Sequence, residues 1–130
     1  MIDSAIYAKL AGNAAVAAIV GTAIYPVQAP QNASPPWIRW QRISRTTDRA
    51  LDRAESVVET RVQFDCIGDT YPASRALAEA VRQALQDWNS ATAGIEDAAC
   101  VNNRDYYEQI ADKFYFTSAV DFIITHQAGA

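Results

Sequence analysis

Val57-Val-Glu-Thr-Arg-Val-Gln-Phe-Asp-Cys-Ile67 decides the fold class. In an extended chain Val58, Thr60, Val62, Phe64 and Cys66 point one way, and Glu59, Arg61, Gln63 and Asp65 the other. Side chains alternate across a strand, so this segment predicts an antiparallel sheet strand with one buried and one wet face. Gly68-Asp-Thr70 then turns the chain. Asp69 or Thr70 can cap a helix, and Pro72 suits its first turn. From Tyr71 to Trp88 the period changes. Ala73, Leu77, Ala80, Val81, Ala84, Leu85 and Trp88 form one apolar stripe, opposite Arg75, Glu79, Arg82, Gln83 and Gln86. Arg75 and Glu79 are spaced for an i, i+4 pair. The alanines let this helix lie close against a sheet.

Working outward, residues 89–94 form an exit loop. A strand is expected within Ile95–Gln109, with a bulge at Asn102-Asn103-Arg104. A last strand is expected from Phe114 to Thr125, with Phe114, Phe116, Val120, Phe122 and Ile124 on one face. The tail from Gln127 to Ala130 reads as disordered. Toward the N-terminus, Trp37-Ile-Arg-Trp-Gln-Arg-Ile43 alternates and reads as the first strand. Residues 44–56, polar and charge-rich with Leu51 as their one large apolar side chain, read as a mobile loop. Residues 25–36 hold four of the five prolines and read as a stiff extended linker rather than a sheet strand. Ile2, Ile6 and Leu10 mark a helical face ending at Gly12-Asn13, and a second short helix runs from Ala14 to Val20.

The 130 residues are half hydrophobic, which supports one core and a single domain over residues 1–130. Valine and isoleucine outnumber leucine 20 to 4, which favours pleated structure over a helical bundle. The expected class is α+β: an antiparallel sheet of about four strands, a long helix on one face and short N-terminal helices. No apolar run reaches the roughly 20 residues of a membrane span, and no signal peptide is read. The formal net charge of −4 argues against nonspecific nucleic-acid binding. That charge is uneven. Residues 1–61 carry seven basic and five acidic side chains, and residues 62–130 carry four basic and ten acidic. Such a split is either surface scatter or the opposed charged faces of a subunit that stacks between partners.

Little here points to catalysis, a metal or a cofactor. Cys66 and Cys100 lack CxxC spacing and read as buried free thiols. His126 is the only histidine and reads as an exposed terminal residue. No ligand-pair spacing supports a metal site, and no phosphate-binding or HExxH motif is present. Tyr106-Tyr107 beside Arg104 has the composition of a stacking platform for single-stranded nucleic acid. With Asp105 and Glu108 alongside, edge-strand or interface tyrosines fit better. Trp37 and Trp40 are core or interface residues.

Two stretches together resemble a known family. One is Ala17-Ala-Ile-Val-Gly-Thr-Ala-Ile-Tyr-Pro-Val-Gln-Ala-Pro-Gln31, with the proline pair and a strand ending in Ile43-Ser44 after it. The other is Thr60-Arg-Val-Gln-Phe-Asp-Cys66, followed by Thr70-Tyr71 and the alanine-rich helix Ala76–Leu85. Over roughly residues 2–125 the chain resembles the tail-completion proteins of long-tailed bacteriophages and gene transfer agents. The resemblance implies a non-enzymatic structural protein of the virion tail, assembled in the bacterial cytoplasm. It implies a ring of copies, expected to be a hexamer, that caps the head-proximal end of the tail tube, ends tube growth and enables head attachment. The implied partners are further copies, the tail tube protein and a head connector or stopper. DNA would pass through the ring without specific binding, and neither cofactor nor membrane is involved. A head-side connector or stopper subunit is one alternative, and a small ligand-binding α+β domain is another. The alternating charges Arg45, Asp48, Arg49, Asp52, Arg53 and Glu55 are the candidate contacts to a neighbouring subunit or partner.

Overall fold

The computed structural model describes residues 2–30, 33–48, 57–110 and 112–127. The chain opens with α1 (Ile2–Ala11) and α2 (Ala14–Val20), then β1 (Ile24–Pro26), β2 (Trp37–Asp48) and β3 (Val57–Gly68). Next come α3 (Tyr71–Leu85), β4 (Ile95–Ile110) and β5 (Lys113–Gln127). The class is α+β, as expected, but the sheet has five strands in the order β1-β2-β3-β5-β4 and is mixed.

The added strand lies in the proline-rich stretch. Ile24, Tyr25 and Pro26 pair in parallel with Ile38, Arg39 and Trp40. Pro26 is compatible with this because it ends a three-residue edge strand, where a missing donor costs little. The first strand is also longer than its alternation suggested. Ser44 to Asp48, expected as loop, continue β2 opposite Arg61 to Val57. Cross-strand pairing with β3 extends the polar run, and a bulge at Ile43 shifts its register. The last strand likewise runs on to Gln127, opposite Val57, so the expected disorder is corrected at that residue. Residues 128–130 lie outside the described residues.

One face of the sheet carries the helices. Register places Ile38, Trp40, Cys66, Phe64, Val62, Val120, Phe122 and Ile124 on it, all buried. Phe64 and Phe122 meet edge to face at 6.0 Å and 85°. On these residues pack Leu77, Val81, Ala84 and Leu85 of α3, with Ile2, Ile6 and Leu10 of α1 and Val16 and Val20 of α2. Three caps follow the sequence. Asn13 accepts from Val16 N, Thr70 accepts from Ala73 N, and Gly21 closes α2 at φ 59°. The Arg75–Glu79 pair does not form. Glu79 instead accepts from Arg82 Nε at 3.0 Å, and Arg75 reaches Asp105 of β4 at 3.6 Å.

Candidate functional site

No helix among the described residues lies over the other face, yet several of its side chains are buried. The alternation of β3 predicts a wet face there. Arg61 fits that, at 37% side-chain exposure, but Gln63 is 8% exposed and Asp65 is fully buried. On β5, Thr117, Ala119 and Asp121 are buried beside them. The cover comes from long side chains of the same face, whose stems shield what lies beneath while their charged ends stay wet.

Arg39 of β2 donates to Asp65 through both Nε, at 3.1 Å, and Nη2. Gln63 Nε2 donates to the other Asp65 oxygen at 2.8 Å, and the Tyr106 hydroxyl reaches it at 3.4 Å. Arg104 of β4 donates to Gln63 Oε1 at 2.7 Å. It also lies 3.5 Å from Asp121, which accepts from Arg61 Nη2 at 2.8 Å. Four strands are thus tied by one polar network. Burial works against the Arg39 charge, but the hydrogen bond and charge of Asp65 outweigh it and hold its pKa above the ordinary value. Burial, and then the nearby Asp65 charge, push the Tyr106 phenol up. The buried Asp121 Oδ1 has no hydrogen-bond partner among the described residues.

Beside this network the segment after β1 folds over the sheet and forms a groove of about 400 Å³. Gln28, Pro30, Trp37, Arg39, Tyr106 and Tyr115 are among its walls. At the tip of the β4–β5 hairpin Tyr107 stacks on Phe114 and Phe116, with centroids 6.1 and 5.5 Å apart. Tyr107 and Phe114 are half exposed. The two tyrosines do not form one platform. Tyr106 turns to the network and Tyr107 to the opposite face, as neighbours on a strand must. Trp40 is buried in the core, and Trp37 packs on Tyr115 at 5.7 Å.

The expected contact residues are described only in part. Arg45 and Asp48 lie on β2, opposite Thr60 and Val57, and Arg45 is exposed. Arg49, Asp52, Arg53 and Glu55 lie outside the described residues. Sequence reasoning missed the Asp65–Arg39–Gln63–Arg104 network and the Asp121 ion pairs. A signal was present: Asp65 stands between Phe64 and Cys66, and Asp121 between Val120 and Phe122. A carboxylate inside an apolar strand needs a partner when buried.

His126, expected to be exposed, is buried at 2% exposure. It lies between Thr60 Oγ1 and the Gln127 carbonyl oxygen, each at 2.8 Å. Cys66 is buried opposite Ser118, whereas His126 is opposite Val58 at the other end of β3. The fold therefore keeps that thiol and the imidazole apart, and burial pushes the Cys66 thiol well above its usual range. Cys100 is half-buried. Among the described residues no group of three His, Cys, Asp or Glu side chains is placed to hold a metal. No described helix is long and apolar enough to cross a membrane.

Comparison with known proteins gives two matches. A chain from a structure titled "Virion of native gene transfer agent (GTA) particle" superposes with a TM-score of 0.69. It is 20% identical, and the match covers 94% of this chain and 91% of that one, a likeness of fold. No curated protein sequence matches. The sequence profile described as "Tail completion protein gp17" matches residues 4–124. The chain therefore belongs to the tail completion protein gp17 family and is a structural protein of a phage-type tail.

Proposed function

We propose that this chain caps the head-proximal end of a tail tube as a ring of identical copies, which ends tube growth and presents a surface for the head. Family membership over residues 4–124 carries this reading. The geometry supports it in a specific way. The described residues invest their buried polar chemistry in stiffening a sheet face, with both ends of the sheet open for contacts. A ring subunit must keep its shape while being held from several sides, and a cross-strand ionic network serves that need.

The partners in this reading are further copies, six being the expected number, the tube protein and a head connector or stopper. DNA passes through without specific binding. The protein is not catalytic, and assembly takes place in the bacterial cytoplasm. Arg45, Asp48, Arg49, Asp52, Arg53 and Glu55, on or after the end of β2, remain the proposed contact residues.

The test is electron microscopy of particles from a producing strain with this gene deleted. Unjoined heads beside tails of abnormal length are expected. Tails of normal length that simply fail to join would move the protein to the head-side connector. Normally joined particles would overturn a role in assembly.

A further inference from the structure

We infer that copies of this chain join head to tail through the two open edges of the sheet, the β2 edge of one copy lying antiparallel to the β4 edge of the next. This rests on the ring proposed above and names its contact.

The strand order leaves each of these strands with an open side. β1 covers β2 only from Ile38 to Trp40, and from Gln41 onward β2 has β3 as its sole strand partner among the described residues. At the other end of the sheet, the exit from α3 covers the start of β4. Asp87 N donates to the Ala98 carbonyl oxygen at 2.9 Å, and Gln86 Oε1 accepts from Cys100 N at 3.3 Å. Beyond that, residues 101–109 are all exposed, with β5 as their only strand partner among the described residues.

Two common defences against pairing, short length and proline, are missing from these edges. They are long, 12 and 16 residues, and contain no proline. Each has a register shift that leaves an aliphatic side chain in water: Ile43 at 47% exposure on β2 and Val101 at 46% on β4. Their charges are opposite. On the open stretches β2 carries Arg42 and Arg45 against Asp48, whereas β4 carries Asp105 and Glu108 against Arg104. Unlike edges therefore attract and like edges repel, which selects β2 against β4 over a two-fold β4–β4 pair.

Strand direction agrees. The β2–β3, β3–β5 and β5–β4 pairings are all antiparallel, so β2 and β4 run in opposite directions. A neighbour generated by rotation about an axis along the strands keeps its strand directions. Its β2 then meets β4 antiparallel, the mode that dominates within the sheet. A contact between two different edges is heterologous, the type that closes into a ring.

The test uses purified particles carrying Ile43→Cys and Val101→Cys together, with Cys100→Ser, treated with a short bis-maleimide. The double variant is expected to give a ladder from dimer upward on a denaturing gel. Ile43→Cys or Val101→Cys alone in the same background is expected to stay monomeric. Dimers from Val101→Cys alone would show like edges meeting and overturn the inference. Monomer from the double variant, in particles that retain the protein and are normally joined, would overturn the edge contact and leave the tail role standing. Absence of the unmodified protein from particles would overturn the ring itself. If the cysteine variant does not enter particles, the charges decide. Arg42→Glu and Glu108→Arg singly are each expected to lower incorporation several-fold at unchanged melting temperature. Full incorporation of both single variants would overturn the inference.

Discussion

At the scale of single residues, Asp65 and His126 show how burial without a helical cover is made tolerable. Asp65 is accommodated inside the sheet face because Arg39, Gln63 and Tyr106 all donate to it. Asp65→Ala leaves those donors partly orphaned. The Arg39 side chain, 37% exposed, can rehydrate, so the cost falls below that of a fully buried pair. About 2–3 kcal/mol of lost stability is expected in urea titration. Glu79 makes the contrast. Its pKa is lowered to about 2, mainly by its bond from Arg82, yet the pair lies in water on the outer side of α3. Glu79→Gln is expected to leave the urea midpoint nearly unchanged.

His126 gives a pH signature. Burial lowers its pKa, and the Arg45 charge adds to that against the bond to the Gln127 carbonyl. The unfolded chain, with an ordinary value near 6.5, therefore takes up a proton before the folded one does. Stability is full above pH about 6.5 and declines as pH falls below it toward the folded-state value. Urea midpoints at pH 7.5, 6.5 and 5.5 read this slope, and His126→Gln is expected to flatten it. An unchanged slope in that variant would place the proton uptake elsewhere.

At the scale of elements, the join between β3 and α3 leaves no room for a side chain at Gly68. A Cβ on Gly68 would meet the backbone nitrogen of Ser74 at 2.8 Å and Ala73 at 3.2 Å. The neighbours are helix backbone and cannot step aside. Gly68→Ala is expected to cost about 1–3 kcal/mol, read as a lower melting temperature. Leu77 lies fully buried in the middle of the α3 stripe. Leu77→Ala is expected to cost about 2–5 kcal/mol, and Leu77→Asp to leave the chain unfolded by circular dichroism.

These two elements were also the most legible in the sequence, because a long period-2 run and a long period-3.6 run each identify themselves locally. α1 was legible from Ile2, Ile6 and Leu10 on one face, and the short α2 from its apolar run between Asn13 and Gly21. β1 was not. Three residues carry no period, and proline content argued for a linker; only the parallel neighbour Ile38–Trp40 makes Ile24–Pro26 a strand. Ser44–Asp48 failed similarly, since a polar strand over an open edge has the composition of a loop. The site was legible in its polarity but not in its burial. Alternation shows that Asp65 and Asp121 leave the helix-covered face, but not that arginines from neighbouring strands close over them.

At the scale of the whole molecule, the uneven charge of the chain acquires a place. The first half supplies the basic strand β2 and the second half the acidic strand β4, on opposite sides of one sheet whose outermost strand beside β2 is the short β1. Past Asp48 the charges alternate, Arg49 and Arg53 with Asp52 and Glu55. Asp48 pairs with Val57, so residues 49–56 connect the two strand ends of the β2–β3 hairpin in sequence. If copies meet there, or the tube or head does, reversing two arginines changes the local charge by four units. Attraction between unlike surfaces then becomes repulsion, and its loss acts on association rather than on folding. Arg49→Glu with Arg53→Glu is therefore expected to keep the melting temperature within a few degrees of the parent while lowering the yield of joined particles at least tenfold. Because salt screens charge repulsion, the defect is expected to deepen at low ionic strength, where the repulsion has its full range. Plaque or transfer titres alongside a thermal melt separate the two effects. A normal titre from that double variant would remove residues 49–53 from the contact surface, leaving the sheet edges to carry it.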